Sequence, residues 1–349
     1  MIVIFTIHLS RFVSKDHRVR AQMADLNEKM ISCRGFCLPA DIISDILSRL
    51  PVGSILSCRS VCKTWYSLSQ GPQFVKLQLS RANDQVPRVI LQPISVKAGT
   101  ISSLYLLDIE GHKARVISEI PLEDVGARGI RIMCSCNGLL CMASGLELNP
   151  VVIYNPVTKE YIVLPKSEQN FGLWGHQVGF GFNPVIKKYK VVRIYETYTN
   201  GNIHNNRGDI ITLGESSWRQ IHVPYRLLYT GCHGPIFCGG ALHWIINREF
   251  HNGLEFILRF HISKEVFQGI LLPTSAKAPK YEPVYFTCNL QLLNVGRVVT
   301  LVDHDGQAMH VWALMGNKSG DHIFCTYNSF KMKLTKDSCC FMHVNVRYT

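Results

Sequence analysis

The chain has 349 residues, a formal net charge of +12 and 13 cysteines. Its length allows two domains, or one small domain followed by one large β domain. Lysines and arginines are scattered without a long basic run, which favours a weakly basic surface over a nucleic-acid footprint. The apolar start MIVIFTIHL is too short to span a membrane and lacks the features of a signal peptide. We therefore expect no nucleic-acid or membrane partner, and a location in the nucleus and cytoplasm.

The cysteine spacing indicates buried free thiols. No Cys-x-x-Cys pair is present, and the group Cys134, Cys136 and Cys141 does not have a standard zinc-ligand spacing. Cys58 and Cys62 lie one helical turn apart among apolar residues. Reduced, packed cysteines in a reducing compartment explain this pattern better than a metal site or disulfides. No metal ligands and no cofactor are predicted.

Residues 1–35 show no sustained hydrophobic periodicity. We predict that they form an N-terminal extension that is disordered or loosely helical. A shorter chain that starts at Met23 should then match the full chain in thermal stability.

Residues 36–80 are predicted to form a three-helix module. In the first helix, Ile42, Ile46 and Leu50 repeat on one face, and Pro51 ends the helix. A module of this size buries little of its surface and leaves apolar side chains for a partner. The other two helices are predicted at Ser54–Cys58 and around Val61, Trp65 and Leu68, before Gly71 and Pro72.

The β region contains a repeated phrase. IYNPVTKEYIVLP, residues 153–165, returns as LRFHISKEVFQGILLP, residues 258–273. Each copy has two β-rich runs around a polar turn, which is the pattern of a β-hairpin. Two further segments end in the same way, and a closing proline stops a strand because it has no backbone donor. The four closing prolines are Pro121, Pro165, Pro224 and Pro273.

A glycine followed by an apolar run marks a second kind of strand, as at Gly138, Gly240 and Gly296. Continuous apolar runs suit strands that are buried on both faces. Together with the hairpins, they give four strands in a period of roughly 45 residues, which is typical of a propeller blade. The predicted fold class is therefore α+β multidomain, with the helical module followed by an antiparallel all-β, propeller-like domain over 86–330. A plain antiparallel sandwich is the alternative.

The ring of blades is predicted to be incomplete. Four blades are expected between Arg128 and Tyr327, with a gap between the last blade and a first strand at Arg88–Ile94. An open ring leaves an exposed strand edge near the gap. Residues 331–349 are expected to be a divergent tail. The alternative is a closed six-bladed ring in which Cys340–Val346 pairs with the first strand.

The segment LPADIISDILSRLPVGSILSCRSVCKTWYSL resembles the F-box, a module that docks proteins onto the Skp adaptor of cullin-type ubiquitin ligases. Gly53 is a departure, since plant members usually carry lysine there. The positions that match the family are Leu38, Pro39, Ile42, Ile46, Leu47, Leu50, Pro51, Leu56, Arg59, Val61, Cys62, Lys63 and Trp65.

The β region resembles the plant F-box-associated, kelch-like domain. Phrases such as SCNGLLCM, GFGFNPVIKKYKVVRIY, CGGALHWI and MHVWAL match in the order of the family. His261 stands where aspartate is usual, and Gly239 where asparagine is usual. The resemblance runs from Leu38 to Leu314, after which the family pattern is expected to fade. Residues 1–22 precede a family-like start at Met23 and could come from an upstream start codon.

The resemblance implies a non-catalytic substrate-recognition subunit of a Skp–cullin–F-box ubiquitin ligase. Its partners would be a Skp-family adaptor, through it a cullin and a RING subunit, and an unknown protein target. The alternatives are a Skp-binding adaptor that degrades nothing, or a truncated, inactive family member. An enzyme is disfavoured because the sequence has no HExxH, G-x-S-x-G or P-loop motif.

The resemblance also implies the contact residues. The expected contacts with the Skp adaptor are Leu38, Pro39, Ile42, Ile46, Leu47, Leu50, Pro51, Leu56, Val61, Cys62 and Trp65. Target contacts are expected in the two segments least like tight turns, 166–177 and 197–209. Aromatic and arginine side chains often anchor interfaces, so the candidates there are Phe171, Trp174 and Arg207.

Overall fold

The computed structural model describes residues 2–7, 38–50, 52–83, 88–93, 103–108, 113–119, 130–144, 147–167, 172–199, 202–225, 234–246, 256–272, 290–304, 308–316 and 322–331. Within these residues the chain has an N-terminal helical module and a larger set of antiparallel β-sheets. None of the described helices is long and apolar enough to cross a bilayer.

The helical module has four helices within the described residues, one more than predicted. Pro72 starts the additional helix, whereas the sequence pattern placed Pro72 only after the end of the third helix. Proline suits the first position of a helix because the missing N–H would have no intrahelical partner there. The helices are α1 (Ala40–Ser48), α2 (Val52–Cys58), α3 (Lys63–Leu68) and α4 (Pro72–Asn83).

The core of the module is small. Leu47, Ile55 and Phe74 are its buried apolar side chains, and Leu50 and Trp65 are among the half-buried ones packed around them. This core joins α1, α2 and α4, because each supplies one of the three buried side chains.

A polar contact also ties α1 to α4. Arg81 donates to the backbone oxygen of Asp45 at 2.7 Å and pairs with the Asp45 carboxylate. Arg49 Nε donates to the same carboxylate at 3.0 Å. The hydrogen bonds from Arg81 and then Arg49 lower the pKa of Asp45. The first and last helices are therefore held together at this acidic residue.

Five four-stranded antiparallel sheets form the β domain in the described part of the chain. Sheet I contains β1 (Ile2–Ile7), β2 (Arg88–Pro93), β3 (Ser103–Asp108) and β4 (Lys113–Glu119). Sheet II contains β5 (Ile130–Cys136), β6 (Leu139–Ser144), β7 (Val151–Tyr154) and β8 (Tyr161–Val163). Sheet III contains β9 (Gly172–Asn183), β10 (Lys188–Thr199), β11 (Asn202–Thr212) and β12 (Arg219–His222).

Sheets IV and V complete the set. Sheet IV contains β13 (Ile236–Cys238), β14 (Ala241–Ile245), β15 (Phe256–His261) and β16 (Val266–Leu271). Sheet V contains β17 (Leu290–Val295), β18 (Val298–His304), β19 (Ala308–Gly316) and β20 (His322–Lys331). Each sheet keeps its strands in chain order from one edge to the other. The four sheets expected between Arg128 and Tyr327 are therefore confirmed.

The repeated phrase is the outer half of a sheet, as predicted. Residues 153–165 span β7, its turn and β8, and residues 258–273 span β15, its turn and β16. The turns are built alike: Asn155 Oδ1 accepts a hydrogen bond from the backbone N–H of Val157 at 3.0 Å. In the second copy, His261 Nδ1 accepts from the N–H of Lys264 at 3.3 Å. The histidine thus accepts a backbone N–H in this turn, as Asn155 does in the first copy.

Glycine-containing turns join the first strand of three sheets to the second. Asn137 and Gly138 have φ of 50° and 82°, and Gly239 and Gly240 have φ of 56° and 75°. Two consecutive positive φ values characterise a type I′ hairpin turn, whose twist matches that of the flanking strands. Glycine and asparagine tolerate this conformation best, which explains the glycine before each apolar second strand.

The N-terminal prediction of disorder is not met at Ile2–Ile7. This segment is β1, which pairs antiparallel with β2 from Ile2↔Pro93 to Ile7↔Arg88. The sequence IVIFTI is rich in β-branched and aromatic residues, which suit a strand. Without it, β2 would present an open edge. Residues 8–35 of the predicted extension lie outside the described residues, as does the tail at 332–349.

The sheets stack around an axis. Four apolar clusters fill the junctions between sheets I and II, II and III, III and IV, and IV and V. The first strands meet in the middle: β5 contacts β1, β9 and β13, and β13 also contacts β9 and β17. This radial order confirms a propeller-like domain and rules out the sandwich alternative. The four clusters of described side chains leave the junction between sheets V and I untested, so the incomplete ring stays a prediction.

Candidate partner-binding surfaces

The helical module exposes a strip of large apolar side chains. Leu38, Ile42 and Ile46 follow one another at four-residue intervals and are 51%, 43% and 47% exposed. We call these three residues the apolar strip. Pro39 is also exposed, and Val61, in the turn after α2, is 53% exposed. Ile42 and Ile46 lie on α1 and Leu38 lies just before it, and a contiguous exposed apolar patch often marks a protein-binding surface.

The other expected Skp contacts lie elsewhere in the module. Leu47 is only 1% exposed and belongs to the core, against which Leu50 and Trp65 pack. Leu56 and Cys62 are half-buried, and Pro51 lies outside the described residues. The 3.6-residue period of α1 explains the division, because Ile42 and Ile46 point away from the face that carries Leu47. Residues of both faces were expected to contact the adaptor because each face is apolar.

The two ends of the β domain can be distinguished from the topology. In a sheet of four antiparallel strands, the turns after the first and third strands lie at one end, and the connections after the second and fourth lie at the other. We call the first the near end, which includes turns 137–138 and 155–160, and the second the far end. The helical module contacts the near end, because a cleft beside α2 and α4 is also lined by Asn155 and Thr158.

The expected target contacts fall in sheet III. Trp174 lies at the start of β9, Arg207 lies in β11 and is exposed, and Phe171 lies outside the described residues. The start of β9 and the turn between β10 and β11 are at the far end. Both Trp174 and Arg207 therefore belong to sheet III. Trp174 lies at its far end, away from the helical module.

Strands occupy most of the two segments that the sequence analysis interprets as loops. β9 covers 172–177, β10 covers 197–199 and β11 covers 202–209, while residues 200–201 lie outside the described part of the chain. β10 pairs with β11 as far as Thr199↔Asn202, whereas β12 pairs only with Arg207–Ile210. Beyond Arg207, sheet III thus continues as three strands for about five residues, or about 16 Å at the usual rise of a strand.

A buried ion pair supports this extension. Arg193, in β10, is fully buried, and its Nη2 donates to Asp209 Oδ2 at 2.8 Å. Its Nη1 donates to the backbone oxygen of Leu148 at 3.0 Å, and the guanidinium stacks on Trp218 at 3.6 Å. Tyr195 donates its hydroxyl to the other carboxylate oxygen of Asp209 at 3.2 Å. Arg193 therefore fixes sheet III to the segment that precedes β7 of sheet II.

A buried histidine lies in the same junction. Burial, followed by the positive charges of Arg193 and Arg131, lowers the pKa of His176 to about 4. His176 is therefore neutral at neutral pH and serves the packing of two sheets.

The described residues offer no evident catalytic or metal centre. They contain no group of three or more His, Cys, Asp or Glu side chains placed to hold a metal ion. Cys134, Cys136 and Cys141 are free and buried, as the cysteine spacing predicts. Burial raises the pKa of the Cys136 and Cys141 thiols well above the ordinary value, which disfavours the reactive thiolate.

Comparison with known proteins identifies both parts of the chain. Residues 36–77 match the F-box domain, and residues 106–344 match the F-box associated beta propeller domain. The second match continues past Leu314, so the expectation that the family pattern fades there is wrong.

Several Arabidopsis thaliana proteins are similar along most of this length. F-box protein At3g07870 is 29% identical over 68% of this chain and 60% of its own length. F-box protein At5g49610 is 32% identical over 69% of this chain and 66% of its own length. F-box protein CPR1 is 26% identical over 68% of this chain and 60% of its own length. The chain thus spans about three fifths to two thirds of the length of these relatives.

Solved structures are more distant. Aleuria aurantia lectin covers 71% of this chain with 75% of its own, at 9% identity and a TM-score of 0.39, which is too low to support an argument. The family matches are different in kind, because the propeller match alone covers well over half of the chain. The chain belongs to the plant family of F-box proteins with an F-box-associated β-propeller domain.

Proposed function

We propose that this protein is the substrate-recognition subunit of a Skp–cullin–F-box ubiquitin ligase. The helical module binds a Skp-family adaptor, which connects it to the cullin and the RING subunit. The far end of the β domain binds the target protein, in the nucleus or cytoplasm. The chain itself performs no catalysis, since ubiquitin comes from a conjugating enzyme recruited elsewhere in the complex.

The exposed apolar strip is the observation that carries the proposal. Leu38, Ile42 and Ile46 are large apolar side chains that the module's own fold leaves in water. Full burial of one such side chain is worth roughly 1.5–3 kcal/mol, so a partner that covers all three gains several kcal/mol. The strip is also separate from the cleft beside the β domain, whose lining includes no residue of α1. An adaptor can therefore cover the strip without displacing the β domain.

This arrangement gives the near and far ends of the β domain different proposed roles. The helical module rests on the near end of sheet II, so the far end is free to face a target. The long strands of sheet III lie at that far end, with Trp174 and Arg207 among their residues. A target held there lies across the β domain from the adaptor.

The adaptor contact can be tested with the full chain co-expressed with a Skp adaptor. Changing Ile42 and Ile46 together to Asp should abolish co-purification, because two charges would then have to be buried in the interface. The matched control is Val185→Asp, which places a charge on a 76% exposed apolar residue in the β9–β10 turn. Normal binding by the double variant, with an unchanged circular dichroism spectrum, would refute the assignment of the strip.

The ligase role needs a separate experiment. Proteins captured with the wild-type chain and with the strip variant are compared by mass spectrometry, and shared binders are candidate targets. In a reconstituted complex with cullin, RING subunit and conjugating enzyme, a target should be ubiquitinated with the wild-type chain and not with the strip variant. A target that binds both chains and is modified with neither would indicate an adaptor without a degradative role.

A further inference from the structure

The outer rim of the β domain is formed by the last strand of each sheet. In sheet IV this strand is β16, which pairs along its whole length with β15, from His261↔Val266 to Phe256↔Leu271. Among the strands that the structure describes, β15 is the only one that pairs with β16. The outward edge of β16 therefore presents backbone N–H and C=O groups over six residues, or about 20 Å at the usual rise of a strand.

This edge lacks the usual protection against pairing with another chain. Proteins protect an outer strand with charged residues, prolines, bulges or a very short length. In the other sheets, β8 has only three residues, and β4, β12 and β20 each include a charged residue. In contrast, β16 has the sequence VFQGIL, without charge or proline, and its register with β15 is unbroken. It is the unprotected outer strand in the described part of the chain.

Large apolar side chains are exposed at both ends of β16. Val266 is 57% exposed and Leu271 is 72% exposed, so the edge is open to solvent at each end. Val266 shares a face of the sheet with Ile270, which packs in the junction with sheet V. Leu271 shares the opposite face with Phe267, which packs in the junction with sheet III. Each face of the edge thus offers one exposed apolar side chain to a neighbouring strand.

Gly269 leaves the middle of the edge without a side chain. It is exposed, it is not among the glycines with positive φ, and no bulge interrupts the pairing around it. A glycine inside a strand often marks a bulge or a place where another backbone approaches closely, and the bulge is absent here. This position therefore favours a partner strand over a contact made by side chains alone.

We propose that β16 binds an extended segment of a partner protein, which adds to sheet IV as an extra outer strand. Its main-chain groups pair with the edge of β16. Its uncharged, β-prone side chains cover Val266 on one face and Leu271 on the other. This site is separate from the apolar strip and from the far end of sheet III, and it does not depend on the proposed ligase role.

The length of the edge selects this occupant over a second copy of the chain. Stable interfaces between folded proteins bury roughly 1,200–2,000 Å², and a single six-residue edge is too short to supply that area. An extended segment needs no further surface, because its main-chain hydrogen bonds provide affinity and its side chains reach both faces.

The test uses the full chain and a fluorescein-labelled, six-residue peptide of alternating valine and threonine. Fluorescence anisotropy should show saturable binding. The same peptide with N-methylated backbone amides should not bind, because it keeps the side chains but has lost the main-chain donors. Hydrogen–deuterium exchange should slow within 266–271 when the unmodified peptide is added and stay unchanged within 161–163, the short outer strand of sheet II.

Two matched variants locate the site. Leu271→Lys adds the charge that protected edges carry and should weaken peptide binding at least about tenfold. Val163→Lys, at a 46% exposed residue of β8, should leave binding unchanged. Without peptide, sedimentation velocity should give the same mass for the wild-type chain and Leu271→Lys.

Four results would overturn the proposal: absence of saturable binding, binding of the N-methylated peptide, equal losses in the two variants, or self-association that Leu271→Lys removes. The last result would identify a second copy as the occupant. If Leu271→Lys does not fold, the comparison of the two peptides on the wild-type chain, with the exchange rates within 266–271, still decides the question.

Discussion

The helical module and the junction between sheets II and III use apolar residues in opposite ways. The module buries Leu47, Ile55 and Phe74 and leaves the apolar strip in water. The junction buries a continuous apolar cluster from both sheets and adds the buried pair of Arg193 and Asp209. One region is a small core that leaves an apolar surface exposed, and the other is a closed core that holds a long sheet in position.

Similar apolar residues therefore have different expected roles. Exposed ones are available for binding, and buried ones contribute to stability. In α1 the neighbours Ile46 and Leu47 are 47% and 1% exposed. A change on the exposed side should affect partners, and a change on the buried side should affect folding. The junction should respond to every substitution through stability, because little of it reaches solvent.

The largest expected effect is in the junction. Asp209→Asn keeps the shape of the side chain but leaves the buried Arg193 guanidinium without its counter-charge. Breaking one partner of a buried pair typically costs about 3–5 kcal/mol. We expect urea unfolding of the full chain to show a loss of this order. The matched control is Arg49→Gln, which breaks an exposed pair with Asp45 and should leave the midpoint unchanged. A midpoint equally unchanged in Asp209→Asn would show that the pair is not needed.

The next effect compares two neighbours in α1. Leu47→Ala should lower the free energy of unfolding of the module by about 3 kcal/mol, because it opens a cavity in a core with few other side chains. Ile46→Ala should change stability by less than about 0.5 kcal/mol. It should weaken Skp binding by roughly thirtyfold, which corresponds to about 2 kcal/mol for an interface anchor. Calorimetric unfolding and adaptor titration measure the two quantities. Similar stability losses in both variants would contradict the assigned faces.

Acid should destabilise the junction between sheets II and III, by less than the substitutions above. The pKa of His176 is about 4 in the folded protein, because of burial and of the charges of Arg193 and Arg131. An unfolded histidine titrates near pH 6.5. The unfolded chain therefore takes up the proton first, so stability is fully present above about pH 6.5 and declines as the pH falls toward 4. The loss is at most about 3 kcal/mol.

His176→Gln is the control for that prediction. Urea midpoints measured between pH 7 and pH 4.5 should fall less steeply in the variant than in the wild-type chain. His261, whose pKa burial also lowers, is present in both chains and cancels in the comparison. Identical slopes would mean that another group governs the acid response.

The smallest expected effect concerns β1. Phe5→Pro removes a backbone donor from the strand that pairs with β2 and should lower the melting temperature by about 2–4 °C. The sequence-based expectation for residues 1–35 is no change. Thermal unfolding of the full chain distinguishes the two, with Thr6→Val as a substitution that keeps the strand. A melting temperature equal to that of the wild type would restore the earlier expectation.

Local patterns predicted much of this fold, because they are local in origin. The closing prolines and polar turns mark the outer hairpins, and the glycines at positive φ mark the turns before the buried second strands. Local patterns did not predict α4, since Pro72 suits the start of a helix as well as the position after its end. It also missed β1, whose partner β2 lies more than eighty residues away in the chain.

Which apolar side chains are exposed was harder to predict than the strands. The expected Skp contacts include both the exposed Ile46 and the buried Leu47, because apolar character alone does not say which face turns inward. The pair of Arg193 and Asp209 also escaped prediction. One signal was available: each is a charged residue at the centre or edge of an apolar β-run, in YKVVRIY and GDIITL. A charged side chain in such a place needs a buried partner of opposite charge.

The contact between the helical module and the single turn at 155–160 has a geometric consequence. Sheets II and IV carry related outer hairpins, yet the described cleft involves only the turn of sheet II. This contact fixes the rotational position of the sheets relative to the module. Sheet III, with its long strands, is the next sheet around the axis after sheet II. For a target bound at the proposed site, longer or shorter strands in sheet III would alter how far it is held along the axis. Transfer of those strands to sheet IV would instead move that target sideways around the axis.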